Sequence, residues 1–146
     1  MKKYNIGYTQ GTYDMFHIGH LNLLRQAKER CERLIVGINS DALVQQYKNK
    51  TPVVNEHDRM EIVRELRCVD EVVKCDTLKK TDAWEKLHFD AIFIGNDWKG
   101  NARWAQTEKD LAPLGAEVVY LRHTDGISST LLRASENNKI SEDNNG

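Results

Sequence analysis

The chain has 146 residues, 40% hydrophobic and 29% charged, with 21 Lys and Arg against 22 Asp and Glu for a net charge of −1. That length fits one domain, and the near-neutral balance excludes nucleic-acid or anionic-membrane binding driven by a broad basic field. No apolar run approaches the roughly 20 residues of a membrane span, and the opening "MKKYNIGYT", with two lysines and no long apolar stretch, is not expected to act as a secretory signal.

Apolar residues recur with two different periods along the chain. "YNIGYT" (4–9) predicts a first strand, the weakest of the set, and "GTYDMFHIGH" (11–20) follows it as a loop that enters a helix around Gly19 or His20. In "LNLLRQAKERC" (21–31), Leu23, Leu24, Ala27 and Cys31 share one helical face. "LIVGIN" (34–39) reads as a buried strand. "QQYKNKTPVV" (45–54) is polar and turn-like. In "NEHDRMEIVRELR" (55–67), Ile62, Val63 and Leu66 repeat the helical spacing behind an Asn55/Asp58 N-cap arrangement. "DEVVKC" (70–75), "AIFIG" (91–95) and "EVVYL" (117–121) are three further strands. "RWAQTEKDLAPLG" (103–115) is a helix expected to stop around Pro113 or Gly115.

Strands alternating with helices predict an α/β, Rossmann-like single domain: a parallel five-stranded sheet with helices on both faces. The domain is expected over residues 1–134, followed by a polar tail over 135–146 whose composition points to disorder. Cys31, Cys68 and Cys75 have no CxxC pairing and no metal spacing, so they read as buried, reduced thiols of a cytoplasmic protein. Ligands of such sheets sit beyond the carboxyl ends of the strands. The three chemistry-bearing loops, "GTYDMFHIGH", "GNDWKG" and "RHTDGISST", all follow strands and should open onto that one edge.

His17 and His20 stand at i, i+3 around Gly19, at the mouth of a helix whose free N–H groups and partial positive charge attract anions. Two imidazoles there suit a polyphosphate pocket; each alone would read as a structural residue or a metal ligand. Asp125-Gly126 is a turn signal, and Ser128 and Ser129 look like N-caps, which suit an ordinary loop-to-helix junction or a second phosphate loop. Lys48 and Lys50 read either as solvated surface or as a basic lid beside an anion site.

His17-Ile18-Gly19-His20 is an HxGH signature, and with "GTYD" before it the chain resembles the HxGH nucleotidyltransferases. It is most similar to their cytidylyltransferase family, above all the members that use glycerol 3-phosphate. "HTDGISST" (123–130) resembles that family's RTxGISTT motif, "GNDWKG" (95–100) its GDDW-G segment, "KNK" (48–50) its K-x-K loop and "EHDR" (56–59) its E-H-R helix start. The likeness runs from residue 4 to about 133. It departs at His123, where the family carries Arg with Arg122 one place earlier here, at Asn96, where the family carries Asp, and in a K-x-K loop one residue longer.

The resemblance implies transfer of CMP from CTP to a small phosphorylated alcohol, with glycerol 3-phosphate the first expectation, giving a CDP-alcohol and pyrophosphate. His17, His20, Lys50 and Ser129 would be catalytic. Thr12, Tyr13, Asp14, Ile18, Gly19, His123, Thr124, Asp125, Gly126, Ile127, Ser128 and Thr130 would join them around the nucleotide. Asp41, Lys48, Arg59, Asp97 and Trp98 would face the acceptor. Mg²⁺ is expected on the triphosphate with no assigned protein ligand. Asp14 is the nearest carboxylate, as a neighbour of the ion or as a hydrogen-bond acceptor. The family further implies a homodimer and a role in supplying precursors for teichoic-acid-like or capsular polymers. An ATP-dependent adenylyltransferase, a non-catalytic nucleotide-binding module and a tRNA synthetase fragment are the alternatives. The cytidylyl-type form of the second motif speaks against the first, the retained histidines and Lys50 against the second, and the missing basic surface against the third.

Overall fold

The computed structural model describes residues 2–122; residue 1 and residues 123–146, including the whole of 123–130 and the expected tail, lie outside the described part. Five strands, β1 (Tyr4–Gly11), β2 (Cys31–Asn39), β3 (Glu71–Cys75), β4 (Ala91–Gly95) and β5 (Glu117–Leu121), form one sheet in the order β3-β2-β1-β4-β5. Every pairing is parallel. The chain builds outward from β1 to β3 and then returns to the other side of β1 for β4. The switch point therefore lies between β1 and β4, where an open α/β sheet leaves its crevice. The loops after β1 and β4 flank that point, on one edge as the parallel pattern requires.

Alternation along the strands divides the core in two. Leu34, Val36 and Ile38 pack with Leu24, Ala27, Val63 and Phe93 on one face, whereas Ile35 packs with Tyr8, Phe89, Ile92, Ile94, Trp104 and Leu111 on the other. α1 (Ile18–Arg30) and α3 (Glu56–Arg64) cover the first face. α4 (Lys80–Leu87) and α5 (Ala102–Leu111) cover the second.

Several boundaries differ from the sequence reading. α1 starts at Ile18 because the His17 side chain itself caps the helix. Cys31 is the first residue of β2 rather than part of the α1 stripe, and its thiol points back to the Ala27 carbonyl at 3.4 Å. α2 (Asp41–Lys48) and α4 are helices the periodicity did not reveal, since eight residues carry too few apolar positions to establish a period. Asn55 caps α3 as its spacing suggested, accepting from the Asp58 N–H at 2.9 Å. α5 gives way to a short 3₁₀ turn and then to Gly115 at φ 84°. Cys31 and Cys75 are buried, Cys68 half-buried, and all three are free.

Gly37 marks the tightest crossing of β2 over its neighbours. A Cβ there would lie 2.6 Å from Cys75 Sγ and closer still to the Tyr8 hydroxyl. Gly37→Ala is expected to destabilise the domain by about 1–3 kcal/mol, because the buried Tyr8–Cys75 contact must open to admit a methyl group. Urea unfolding followed by circular dichroism measures the effect.

Candidate active site

The α1 N-terminus is closed by its own histidines. His17, at the N-cap, accepts the Gly19 N–H through Nδ1 at 3.0 Å, and His20, three residues on, accepts the His17 N–H through Nδ1 at 3.2 Å. This is a capping box in which imidazoles stand where Ser and Glu are usual. An Nδ1 that accepts leaves the proton of a neutral imidazole on Nε2, so the cap selects one tautomer for both rings. The rings stack at 4.0 Å between centroids. His17 is half-buried. His20 is only 2% exposed, with Tyr13 edge-on at 5.4 Å and Phe16 tilted at 5.2 Å. The two histidines are thus a surface ring and an enclosed ring behind it, not two equally open ligands.

Arg59, expected at the acceptor, is instead fully enclosed. Its Nε donates to the Val54 carbonyl, one terminal nitrogen to the carbonyls of Thr12 and Asn39, each at 2.8 Å, and the other to Asp41 Oδ1 at 2.6 Å. With its side chain 0% exposed, the guanidinium binds the ends of β1 and β2 to the starts of α2 and α3. Asp41 is likewise part of this scaffold. Its other oxygen accepts the Glu56 N–H at 3.2 Å while Glu56 accepts the Asp41 N–H at 2.8 Å, so α2 and α3 cap each other. Asp14 takes the hydrogen-bonding role: its two oxygens accept the N–H groups of Val53 and Val54 at 2.7 and 2.9 Å.

Thr12 and Asn39 meet Tyr47 of α2 in a buried polar cluster. The Thr12 hydroxyl lies 3.1 Å from the Tyr47 hydroxyl, and the Asn39 amide donates to both. Gln10 extends it, donating to Asn39 Oδ1 and to the Thr77 carbonyl. The Tyr13 side chain turns away from the site: its hydroxyl lies in the core, 3.1 Å from Thr9, and burial pushes it up to about 12. Only its backbone, at φ 53°, borders the loop; Met15 also sits at positive φ. Lys48 ends α2, with its ammonium 5.6 Å from the Tyr47 ring centroid, and Lys50 stands exposed in the loop beyond.

Across the switch point, Asn96, Asp97 and Trp98 form a 3₁₀ turn at the end of β4, with Asp97 exposed and the Arg103 guanidinium 5.4 Å over the Trp98 ring. In the second core, against which Trp98 also packs, is a residue the sequence reading missed. Lys80, 5% exposed, opens α4 after β3, donates to the Leu78 carbonyl at 2.7 Å and lies 5.3 Å from the Trp104 ring centroid. Burial, reinforced by Arg103, lowers its pKa to about 8. The only hint in the sequence was a Lys-Lys pair just past a strand. A cavity of about 180 Å³ lies on this side of the sheet, between β1, β3 and α4, with Tyr8, Gln10, Cys75 and Leu87 among its walls and neither histidine. Arg122, at the end of β5, is tied to α1 by its carbonyl, which accepts from Gln26 at 2.7 Å. His123, Thr124, Asp125, Gly126, Ile127, Ser128, Ser129 and Thr130 lie outside the described residues. Among the described residues, no three His, Cys, Asp or Glu side chains gather to hold a metal ion, and no helix is long and apolar enough to cross a membrane.

A cytidylyltransferase-like family model matches residues 8–135. The chain is 36% identical over 126 residues to a glycerol-3-phosphate cytidylyltransferase of Staphylococcus aureus, covering 86% of this chain and 89% of that protein. It is 35% identical over 127 residues to the Bacillus subtilis protein of the same name, covering 86% and 92%. A similar match, 35% over 131 residues, is to the bifunctional protein HldE of Hyphomonas neptunium, of which the chain spans about a quarter (88% of this chain, 26% of HldE). Among solved structures, a lipopolysaccharide core biosynthesis protein of Thermoplasma volcanium superposes with a TM-score of 0.69 at 23% identity, covering 83% of this chain and 97% of that one. That likeness concerns the fold.

The depressed pKa of Lys80 has a measurable consequence. Below about pH 8 the amine is charged in both states, and its burial destabilises the fold. Between about 8 and 10.5 the unfolded chain binds the additional proton, so stability rises with pH; above 10.5 the effect is complete. Lys80→Met should therefore be more stable than the parent below pH 8, by at most on the order of 3 kcal/mol, with the gain fading toward pH 10.5. Urea midpoints of the two proteins across pH 7–10.5 provide the comparison.

Proposed function

The chain belongs to the cytidylyltransferase-like family, and on that footing we propose that it transfers CMP from CTP to a small phosphorylated alcohol, glycerol 3-phosphate before others, with release of pyrophosphate. The observation that carries this reading is the reciprocal histidine cap. With Nδ1 accepting, a neutral ring carries its proton on Nε2, at a helix N-terminus on the sheet edge where open α/β folds take their ligands, which supports this reading.

The reaction needs little proton chemistry. A phosphate monoester oxygen, already ionised at pH 7, attacks the α-phosphorus of CTP, and the bond to the bridging oxygen of the pyrophosphate breaks. The difficulty is to bring two anions together and to stabilise charge on the equatorial and leaving oxygens, which position and preorganised donors achieve. In this reading His17 and the first turn of α1 meet the triphosphate, His20 holds His17 in place, and Lys50 approaches from the α2–α3 loop. Lys80, Asp97 and Trp98 lie on the acceptor side, where a buried ammonium suits a phosphate. The segment around Ser129 would close over the nucleotide. Mg²⁺ would be held by triphosphate oxygens, neutralising part of their charge. Both oxygens of Asp14 accept backbone N–H groups, which supports a site where substrate rather than protein supplies most ligands. A cytoplasmic homodimer completes the proposal.

Pyrophosphate release from CTP and from ATP, each with a panel of phospho-alcohols, tests the reading. Release only with CTP and one acceptor supports it. ATP-dependent release replaces it with an adenylyl transfer, and no release with any pair reduces the chain to a nucleotide-binding module. A sharper test separates the cap from the chemistry. Ser at an N-cap and Gln at N3 rebuild an ordinary capping box. His17→Ser and His20→Gln should therefore fold with melting temperatures near the parent's, yet each lose about 10²–10³ in turnover. Parental rates in either would remove that imidazole from the mechanism.

A further inference from the structure

The two halves of the proposed phosphate site, the histidine motif and the lysine loop, belong to different elements. α2 and α3 are joined by residues 49–55. The loop is anchored at its start, where Asn49 adopts a left-handed conformation (φ 55°) with its N–H on the Gln45 carbonyl at 3.0 Å. It is anchored again at Val53 and Val54, whose N–H groups both donate to Asp14 and whose Val54 carbonyl accepts from Arg59. Only Lys50, Thr51 and Pro52 lie between these anchors. Three residues span at most about 10 Å, so the Lys50 backbone has little room to wander.

We propose that Asp14 is a positioning residue that sets the reach of Lys50 toward the phosphates, coupling the lysine loop to a carboxylate three residues before His17. The inference rests on the nucleotidyl-transfer reading for its functional meaning and on the hydrogen bonds alone for its geometry. A carboxylate is the group this junction requires. It offers acceptors on both oxygens to two adjacent N–H donors, whereas an amide offers one acceptor and turns its own N–H₂ toward the other donor. The ionised form also makes the bonds short, 2.7 and 2.9 Å. Asp14 is 7% exposed, so its charge is enclosed against the loop it holds. Without it the stretch between anchors would grow from three residues to four, ending at Val54, whose carbonyl Arg59 still holds, and Lys50 would sample positions farther from its working one.

The test compares Asp14→Asn, Lys50→Ala and the double variant in the full chain, by steady-state kinetics in CTP and by timed trypsin digestion. Asp14→Asn should raise the KM for CTP about tenfold, as Lys50→Ala does, and the double variant should be no worse than Lys50→Ala by more than about twofold, because both changes remove one contribution. Cleavage after Lys48 and Lys50 should speed up several-fold in Asp14→Asn at a temperature well below the melting transition of both proteins. Additive effects on KM, or unchanged cleavage, would overturn the proposal. So would a tenfold shift in the Mg²⁺ concentration for half-maximal rate, which would make Asp14 a metal ligand. If Asp14→Asn does not fold, Asp14→Glu, which keeps the charge but displaces it by one methylene, is read by the same criteria. The digestion needs no turnover: a parent that transfers no nucleotide would sink the proposed function while leaving the clamp to be judged by cleavage.

Discussion

The edge of the sheet at the ends of β1 and β2 is organised around the Arg59 guanidinium. Removing such a charge from water costs several kcal/mol, and the cost is offset only when the surrounding acceptors are complete. Here the Thr12, Asn39 and Val54 carbonyls and the Asp41 carboxylate supply four hydrogen bonds, and these four residues belong to four separate pieces of chain. One side chain thereby fixes the relative positions of two strand ends, the start of α2 and the approach to α3. Lysine could not replace it, having three rotatable donors on one nitrogen in place of a planar fork.

On that base the residues of the HxGH motif and its loop serve the fold itself. Each motif histidine uses Nδ1 to satisfy a backbone N–H at the start of α1, so the bonds that begin α1 also fix the ring orientation and tautomer. Asp14 ties the lysine loop to the motif segment. The polar cluster of Gln10, Asn39, Thr12 and Tyr47 carries hydrogen bonding from beneath β3 to the end of α2 with its groups paired to one another. Across the switch point, Lys80 keeps an amine in an apolar corner at a cost in stability.

Much of the architecture was legible in the chain. β-branched runs bounded by polar residues mark the strands, and the adjacent placement of Ile35 and Val36 in opposite cores follows from the period of two. The Asn55 cap appears where its side-chain chemistry pointed. What stayed hidden was the division of labour among polar residues. Asp41 and Arg59 looked like acceptor ligands because charged residues in a functional motif resemble contacts with a charged ligand. Tyr13 looked like a nucleotide contact, although its hydroxyl is in the core. Lys80 drew no attention, since a lysine is exposed by default and its sequence neighbours do not bury it. α2 and α4 were too short to show a period.

The sequence by itself determined the alternation of strands and helices, the parallel sheet and the edge that carries the loops, because these depend on local periodicity and on helical connections long enough to return each strand parallel to the last. Only the tertiary structure decided which charges are scaffold and which face the cleft. That distinction depends on burial and on the partners that segments distant in sequence supply: Val54 for Asp14, Asn39 for Arg59, Trp104 for Lys80. Hydrogen bonds act over about 3 Å of space, a distance that no spacing along the chain encodes.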